Sequence, residues 1–252
     1  MITTRRSSPV HNERLGRSLA GKAGIVTGAG TGIGEGIAVQ LARLGADVGL
    51  NFYRSRDGAE NTREKITGLG GRAILLQCDV SNEEQVKAMV AKAHRELGRI
   101  DFLVNNATGM IHARSDIPIA NESNPILDDR YMERWNRVIS VDLTGAFLCI
   151  RHVVPIMLAA KSGRIVNISS ISAITGTSEP SYNAAKAGLL GLTMSLAVRL
   201  APYIQVNAIL PGFVSSAKHD EELVAKITPG KKLGTPEDIA EVRILTASRG
   251  VS

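Results

Sequence analysis

Tyr182 and Lys186 stand four residues apart in Tyr182-Asn183-Ala184-Ala185-Lys186, and on a helix that spacing puts both side chains on one face. A phenol titrates near pH ~10, too high for easy proton exchange at neutrality, and a neighbouring ammonium favours the phenolate. Together the two side chains suit transfer of a proton to or from an oxygen atom. A Tyr-x-x-x-Lys pair also arises by chance on ordinary helix surfaces, so its setting matters. Upstream lies Arg164-Ile165-Val166-Asn167-Ile168-Ser169-Ser170, a short apolar run whose end places Ser170 to hydrogen-bond a substrate oxygen.

A second constellation lies near the N-terminus. Thr27-Gly28-Ala29-Gly30-Thr31-Gly32-Ile33-Gly34 follows an apolar run and opens a segment of helical period. Glycines there let the backbone turn tightly and approach a pyrophosphate, whose charge a helix N-terminus favours. Glycine-rich turns are common as structure alone, but one between a strand and a helix reads as a dinucleotide site. The second strand then ends in Asn51-Phe52-Tyr53-Arg54-Ser55-Arg56, without the acid that binds a ribose 2′-hydroxyl in many such sites. Arginine pairs with a 2′-phosphate, so Arg54 favours NADP(H), with NAD(H) as the alternative. The plainer reading of Arg54 and Arg56 is a pair of solvated surface charges.

These residues need a scaffold, and the pattern supplies one. Strands are expected at Gly24–Thr27, Asp47–Phe52, Ala73–Cys78, Ile100–Val104, Arg164–Ser169 and Ile204–Leu210. Helices are expected at Gly32–Leu44, Asp57–Leu69, Asn82–Leu97, Asp129–Ala160, Tyr182–Ala201 and Pro236–Ala247, with Ser81 and Glu84 as a capping box. Strict alternation predicts an α/β fold with a doubly wound parallel sheet, both faces covered. Two stretches, Gly109–Leu127 and Ser215–Gly230, are expected to form the mouth and lid of a pocket.

Composition narrows the function classes. The 252 residues suit one α/β domain, and 44% hydrophobic with 21% charged residues is ordinary for a soluble globular protein. The net charge of +6 is concentrated at the N-terminus, where residues 1–22 hold five basic side chains against Glu13. The other 230 residues carry 25 basic and 23 acidic side chains, and aromatics are only 4%, which argues against nucleic-acid binding. Residues 1–18 read as a disordered basic arm ahead of a catalytic domain spanning 19–252. The arm has a transit peptide's composition but lacks the apolar stretch of a secretory signal. No apolar run reaches the ~18 residues a membrane span needs. Cys78 and Cys149 form no disulfide framework and the five histidines show no ligand spacing, so a reducing cytoplasm and no metal are expected.

With these motifs in place, the sequence resembles the short-chain dehydrogenase/reductase family from Leu19 to about Ala247, and within it the 3-oxoacyl-[acyl-carrier-protein] reductase-like members. The shared signatures are the Thr27–Gly34 turn, Asp79-Val80 after the third strand, and Asn105-Asn106-Ala107 after the fourth. Ser170, Tyr182 and Lys186, and Asn207 with Pro211-Gly212, complete the match. The resemblance implies a Rossmann-like fold and a nicotinamide cofactor bound by Gly28, Thr31, Gly32, Ile33, Gly34, Arg54, Asp79, Val80, Asn106, Ala107, Tyr182, Lys186, Pro211 and Gly212. It further implies that Asp79 contacts the adenine, that Lys186 holds the nicotinamide ribose, and that Ser170, Tyr182 and Lys186 are catalytic. The family pattern uses the second serine of the pair, hence Ser170 rather than Ser169.

Three departures shape the expectations. Thr108 stands where the family has glycine, which is expected to reshape the cofactor-side loop. Asp142 occupies the place of the family's catalytic asparagine; it keeps acceptors, loses the amide donor, and its charge is suited to tether Lys186. The family's last strand is missing after Pro236–Ala240, as a truncated or frameshifted reading frame would leave it. Ile204–Leu210 should then form a sheet edge, and the homo-oligomer that the resemblance implies is weakened. The leading expectation is an NADP-dependent reductase of a 3-oxoacyl thioester or similar ketone. The alternatives are a sugar or secondary-alcohol dehydrogenase, and a nucleotide-binding protein with little or no catalysis.

Overall fold

The computed structural model describes residues 18–110, 124–215 and 230–240. The alternation read from sequence folds as β1 (Ala23–Val26), α1 (Gly32–Arg43), β2 (Asp47–Phe52), α2 (Arg56–Gly68), β3 (Ala73–Gln77), α3 (Glu83–Leu97) and β4 (Phe102–Asn105). After a 3₁₀ turn at Pro125–Leu127 come α4 (Tyr131–Ile139), a π-helical turn at Ser140–Gly145 and α5 (Ala146–Ala159). The remainder is β5 (Gly163–Ile168), the one-turn α6 (Ser172–Thr175), α7 (Pro180–Leu200), β6 (Ile204–Ile209) and α8 (Pro236–Ala240).

The described strands form a single parallel sheet in the order β3-β2-β1-β4-β5-β6. Its direction of winding reverses between β1 and β4, and in open α/β sheets ligands bind beyond the carboxyl ends of the strands at such a point. The glycine turn, Arg54, Asp79-Val80, Asn106-Ala107, Ser170 and Pro211-Gly212 follow the carboxyl ends of strands, while Asp142, Tyr182 and Lys186 are brought there by helical segments. Apolar residues occur in runs because both faces are buried. Ile25, Leu103 and Ile165 point into one core with Val86, Met89, Val153 and Met157 of α3 and α5. Their neighbours Val26, Val104 and Val166 point into the other, with Ile37 and Leu41 of α1. Residues 18–110, 124–215 and 230–240 thus share one sheet and its two flanking cores.

The structure corrects two sequence expectations. Helix α3 is capped by Asn82, whose side-chain oxygen accepts from Gln85 N at 3.0 Å, and not by Ser81 with Glu84. Ser81 is taken: its hydroxyl donates to Asp79 Oδ1 at 2.7 Å. The helix expected over Asp129–Ala160 is interrupted, because six residues from Ser140 wind as a π turn. Such turns widen a helix locally and recur at functional sites. By length and composition Tyr131–Ala159 could cross a membrane, yet half of its most apolar window is buried, as in a core helix. The basic arm through Arg17, most of Gly109–Leu127, Ser216–Pro229 and the chain after Ala240 lie outside the described residues.

Candidate active site

The phosphate turn is built by steric necessity. Gly28 sits at φ +64°, and a Cβ on Gly34 would collide with the Gly28 carbonyl oxygen, so α1 starts tight against the strand end. Two asparagines hold this shape. Asn106 donates its amide to the Thr27 and Gly28 carbonyls at 3.0 and 3.1 Å. Asn51 accepts from Gly28 N at 3.2 Å while its amide reaches Leu76 O and Cys78 O, lacing β2, β3 and the turn together. Thr27 Oγ1 accepts from the backbone of both Asn106 and Ala107. Thr31 stands at the N-cap position of α1 without a side-chain capping hydrogen bond, Gly32, Ile33 and Gly34 are its first residues, and among the described residues a Cβ on Gly32 would meet nothing within 4 Å. The backbone amides of that first turn thus face space a phosphate can fill.

At the neighbouring strand ends, where the resemblance expects the adenosine, Tyr53 and Arg54 follow β2 and Asp79 with Val80 follows β3. Asp79 Oδ1 accepts from Ser81 N and Oγ, and Oδ2 accepts from Arg137 Nη1 at 3.0 Å. Burial alone would raise the Asp79 carboxyl, but the Ser81 hydrogen bonds and the Arg137 guanidinium hold it below the ordinary range. It is an ionised acceptor, and with about four lone-pair sites per carboxylate it keeps room for an adenine amino group. Arg137 was not singled out by the sequence; its position on α4 gives no motif signal.

On the catalytic side, the expected four-residue spacing is realised on α7. Lys186 Nζ lies 5.3 Å from the centroid of the Tyr182 ring. The lysine is buried, donates to Ile168 O at 3.0 Å, and faces Asp142 Oδ2 at 3.1 Å as an ion pair rather than an aligned hydrogen bond. Asp142 Oδ1 accepts from Gly109 N at 2.6 Å, so the departure at Asp142 ties the loop after β4 to the π turn. Burial would lower the Lys186 ammonium's pKa, but the charges of Asp142 and Tyr182 and the contact with Asp142 hold it above the ordinary lysine value. The two serines after β5 part ways. Ser169 Oγ is spent on the Lys186 carbonyl at 2.9 Å. Ser170 Oγ accepts from Ser172 N at 3.1 Å, which leaves its own proton for another oxygen. Pro211, after β6, accepts from Ile171 N at 2.9 Å beside the same serine segment.

Two further residues that the sequence did not flag hold the start of α7, just ahead of Tyr182. Arg134 of α4 is fully buried and its Nη1 lies 3.5 Å from Glu179 Oε1, at the N-cap of α7. Tyr131 Oη accepts from Ser181 N at 3.0 Å. Their only sequence signal is the Glu179-Pro180 helix start.

Comparison with known proteins decides the family. The family model for short chain dehydrogenases matches residues 22–227. The chain belongs to the short-chain dehydrogenase family. Over 228 residues it is 35% identical to a 3-oxoacyl-[acyl-carrier-protein] reductase of Synechocystis sp., covering 88% of this chain and 87% of that one. A cis-4-hydroxycyclohexanecarboxylate dehydrogenase of Sinomonas cyclohexanicum is 37% identical over 251 residues, 94% of each chain. The crystal structure of NAD⁺-bound xylitol dehydrogenase superposes with a TM-score of 0.79 at 29% identity, covering 90% of this chain and 93% of that one. This short-chain dehydrogenase is therefore an oxidoreductase with a Rossmann-like sheet, and its family uses a nicotinamide dinucleotide.

Proposed function

We propose that this short-chain dehydrogenase reduces a ketone, a 3-oxoacyl thioester or a similar carbonyl, to a secondary alcohol with NADP(H). The observation that carries the reading is the buried Lys186 ammonium 5.3 Å from the Tyr182 ring centroid. The chemistry that a bound nicotinamide would supply is the hydride for the carbonyl carbon. Tyr182 gives its phenolic proton to the carbonyl oxygen as negative charge develops there, and Ser170 donates a hydrogen bond to that oxygen. Lys186 has three N–H donors. One holds Ile168 O, one faces Asp142, and the third is left for a ribose hydroxyl. Asp142 acts as the counter-ion that keeps Lys186 charged and in place. Gly28, Thr31, Gly32, Ile33 and Gly34 hold the pyrophosphate, Asp79 and Val80 with Asn106 and Ala107 the adenosine, and Pro211 and Gly212 the nicotinamide. Arg54, with no acid at the end of β2, supports NADP(H) over NAD(H).

The reaction belongs in the cytoplasm, in a catalytic domain beginning near Leu19, whose backbone N–H is bonded to Leu44 O at 2.8 Å. A second reading, oxidation of a cyclic or sugar secondary alcohol, is favoured by the 37% identity to the cis-4-hydroxycyclohexanecarboxylate dehydrogenase. The two separate in one experiment. NADPH consumption is measured with a short 3-oxoacyl thioester, and NADP⁺ or NAD⁺ reduction with a panel of cyclic alcohols and polyols. The first reading predicts kcat/KM for the thioester at least about tenfold above any alcohol, an advantage worth ~1.4 kcal/mol of transition-state binding. The reverse order contradicts it.

A further inference from the structure

We propose that Arg137 is a second cation of the adenosine subsite and, together with Arg54, sets the preference for a 2′-phosphorylated dinucleotide; this rests on the NADP(H) reading above. Arg137 reaches the site from α4, away from the strand ends that supply the other adenosine residues. Its Nη1 donates to Asp79 Oδ2 at 3.0 Å and to Ser81 Oγ at 3.1 Å, which anchors the guanidinium at the carboxyl end of β3. Its Cζ lies 5.4 Å from the centroid of the Tyr53 ring, and Arg54 Cζ lies 5.2 Å from the same centroid. Tyr53 follows directly on β2, where a doubly wound fold receives the adenosine ribose. Two guanidiniums from different elements therefore converge on one ring at the position that distinguishes a 2′-hydroxyl from a 2′-phosphate.

Two features separate this arrangement from an ordinary surface ion pair. The Arg137 side chain is 25% exposed and that of Asp79 14%, so the pair sits in a partly dry rim where charge interactions exceed those in open water. Both contacts of the guanidinium use Nη1, and Nε and Nη2 make no bond among the described residues. A guanidinium has five N–H donors in a planar fork suited to phosphate oxygens. The pairing also has an electrostatic result. The ionised Asp79 carboxylate would repel a phosphate on the neighbouring ribose, and Arg137 neutralises it in place. Asp79 remains an acceptor for the adenine while its charge no longer opposes the 2′-phosphate.

The test uses adenosine 2′,5′-bisphosphate and adenosine 5′-monophosphate, which probe this half-site without the nicotinamide, and then NADPH and NADH. Dissociation constants are measured by calorimetry for the full-length protein and for Arg137→Gln, Arg137→Lys and Arg54→Gln. Loss of a charge-assisted phosphate contact weakens binding by about tenfold or more. The expected result is that Arg137→Gln weakens the bisphosphate and NADPH by at least about tenfold and the monophosphate and NADH by less than about threefold. Arg137→Lys, which keeps the charge and so guards against misreading a fold defect, retains most of the preference. An equal loss of all four ligands in Arg137→Gln would mean that the residue only props Asp79, and overturns the proposal. Unchanged NADPH-to-NADH selectivity overturns it too. If the wild-type protein itself binds NADH as tightly as NADPH, the NADP(H) reading fails first. If the wild type prefers NADPH and Arg137→Gln does also, the assignment of Arg137 alone fails.

Discussion

At the scale of single residues, the Asp142–Lys186 pair departs most from the family pattern. Both side chains are essentially buried, at 2% and 3% exposure, and neither has solvent to fall back on. Removing one partner of a buried pair leaves the other charge uncompensated, which costs about 3 kcal/mol or more. Asp142→Leu should therefore lower unfolding free energy by about 3 kcal/mol in urea denaturation, while Asp142→Leu/Lys186→Met recovers most of it. The pH dependence has a definite sign. Lys186 is held above the ordinary lysine value, so the stability it contributes is fully present below the unfolded lysine pKa of ~10.4 and fades as pH climbs through the raised folded value. On the alkaline side, the wild type should lose stability relative to the double variant in strongly alkaline solution, and a loss near neutrality would contradict the assignment. The Tyr182 and Lys186 pairing was legible in the sequence from its four-residue spacing, and Ser170 and Asp142 came from the resemblance to the family; the structure brings Lys186 against both Asp142 and the Tyr182 ring. Arg134 and Arg137 were not legible, since a helix period does not say which buried arginine meets which carboxylate.

At the scale of elements, the β1–α1 turn depends on contacts too close for any side chain. Gly34→Ala would drive a methyl group into the Gly28 carbonyl and toward the Asn106 amide. It should destabilise the fold by about 1–3 kcal/mol and weaken dinucleotide binding at least about tenfold, read by fluorescence titration with NADPH. Tight binding by this variant would mean that the turn is not the pyrophosphate site. The turn was visible in sequence, as were the strand cores, whose runs of β-branched residues mark burial on both faces. Among the described residues, boundaries moved by only one or two positions, as in β4, expected from Ile100 and found from Phe102, while the expected end of the last helix at Ala247 lies outside them. The π turn at Ser140–Gly145 and the Asn82 cap escaped the reading. Each comes with a hydrogen bond that competes with the local helix signal, a long-range one from Gly109 to Asp142 and a local one from Ser81 to Asp79 two residues before it.

At the scale of the whole molecule, the sheet order β3-β2-β1-β4-β5-β6 gathers residues from opposite ends of the chain along one carboxyl edge. The alternation of strand and helix made a doubly wound parallel sheet an expectation, without its strand order; the lacing of the β1–α1 turn by Asn51 and Asn106 could not be inferred without the fold. Cys78 and Cys149 report on its integrity. Burial pushes the Cys78 thiol up to about 12 and raises the Cys149 thiol as well. Neither should react with a thiol reagent at neutral pH until the sheet opens. Labelling of both should follow global unfolding and slow further under saturating dinucleotide, which stabilises the native state by mass action. Rapid labelling of the native protein would show that the core on the α3 and α5 side, which holds both thiols, opens independently of global unfolding.

The central claim, that Tyr182 is the proton donor in a dinucleotide-dependent carbonyl reduction, is tested most directly by Tyr182→Phe. NADPH consumption and NADPH binding are measured side by side for this variant and the wild type, with a short 3-oxoacyl thioester as substrate. Loss of the positioned acid should lower kcat by at least about a hundredfold, with the dissociation constant for NADPH changed by less than about threefold. Turnover at the wild-type rate in Tyr182→Phe would contradict the assignment of the active site.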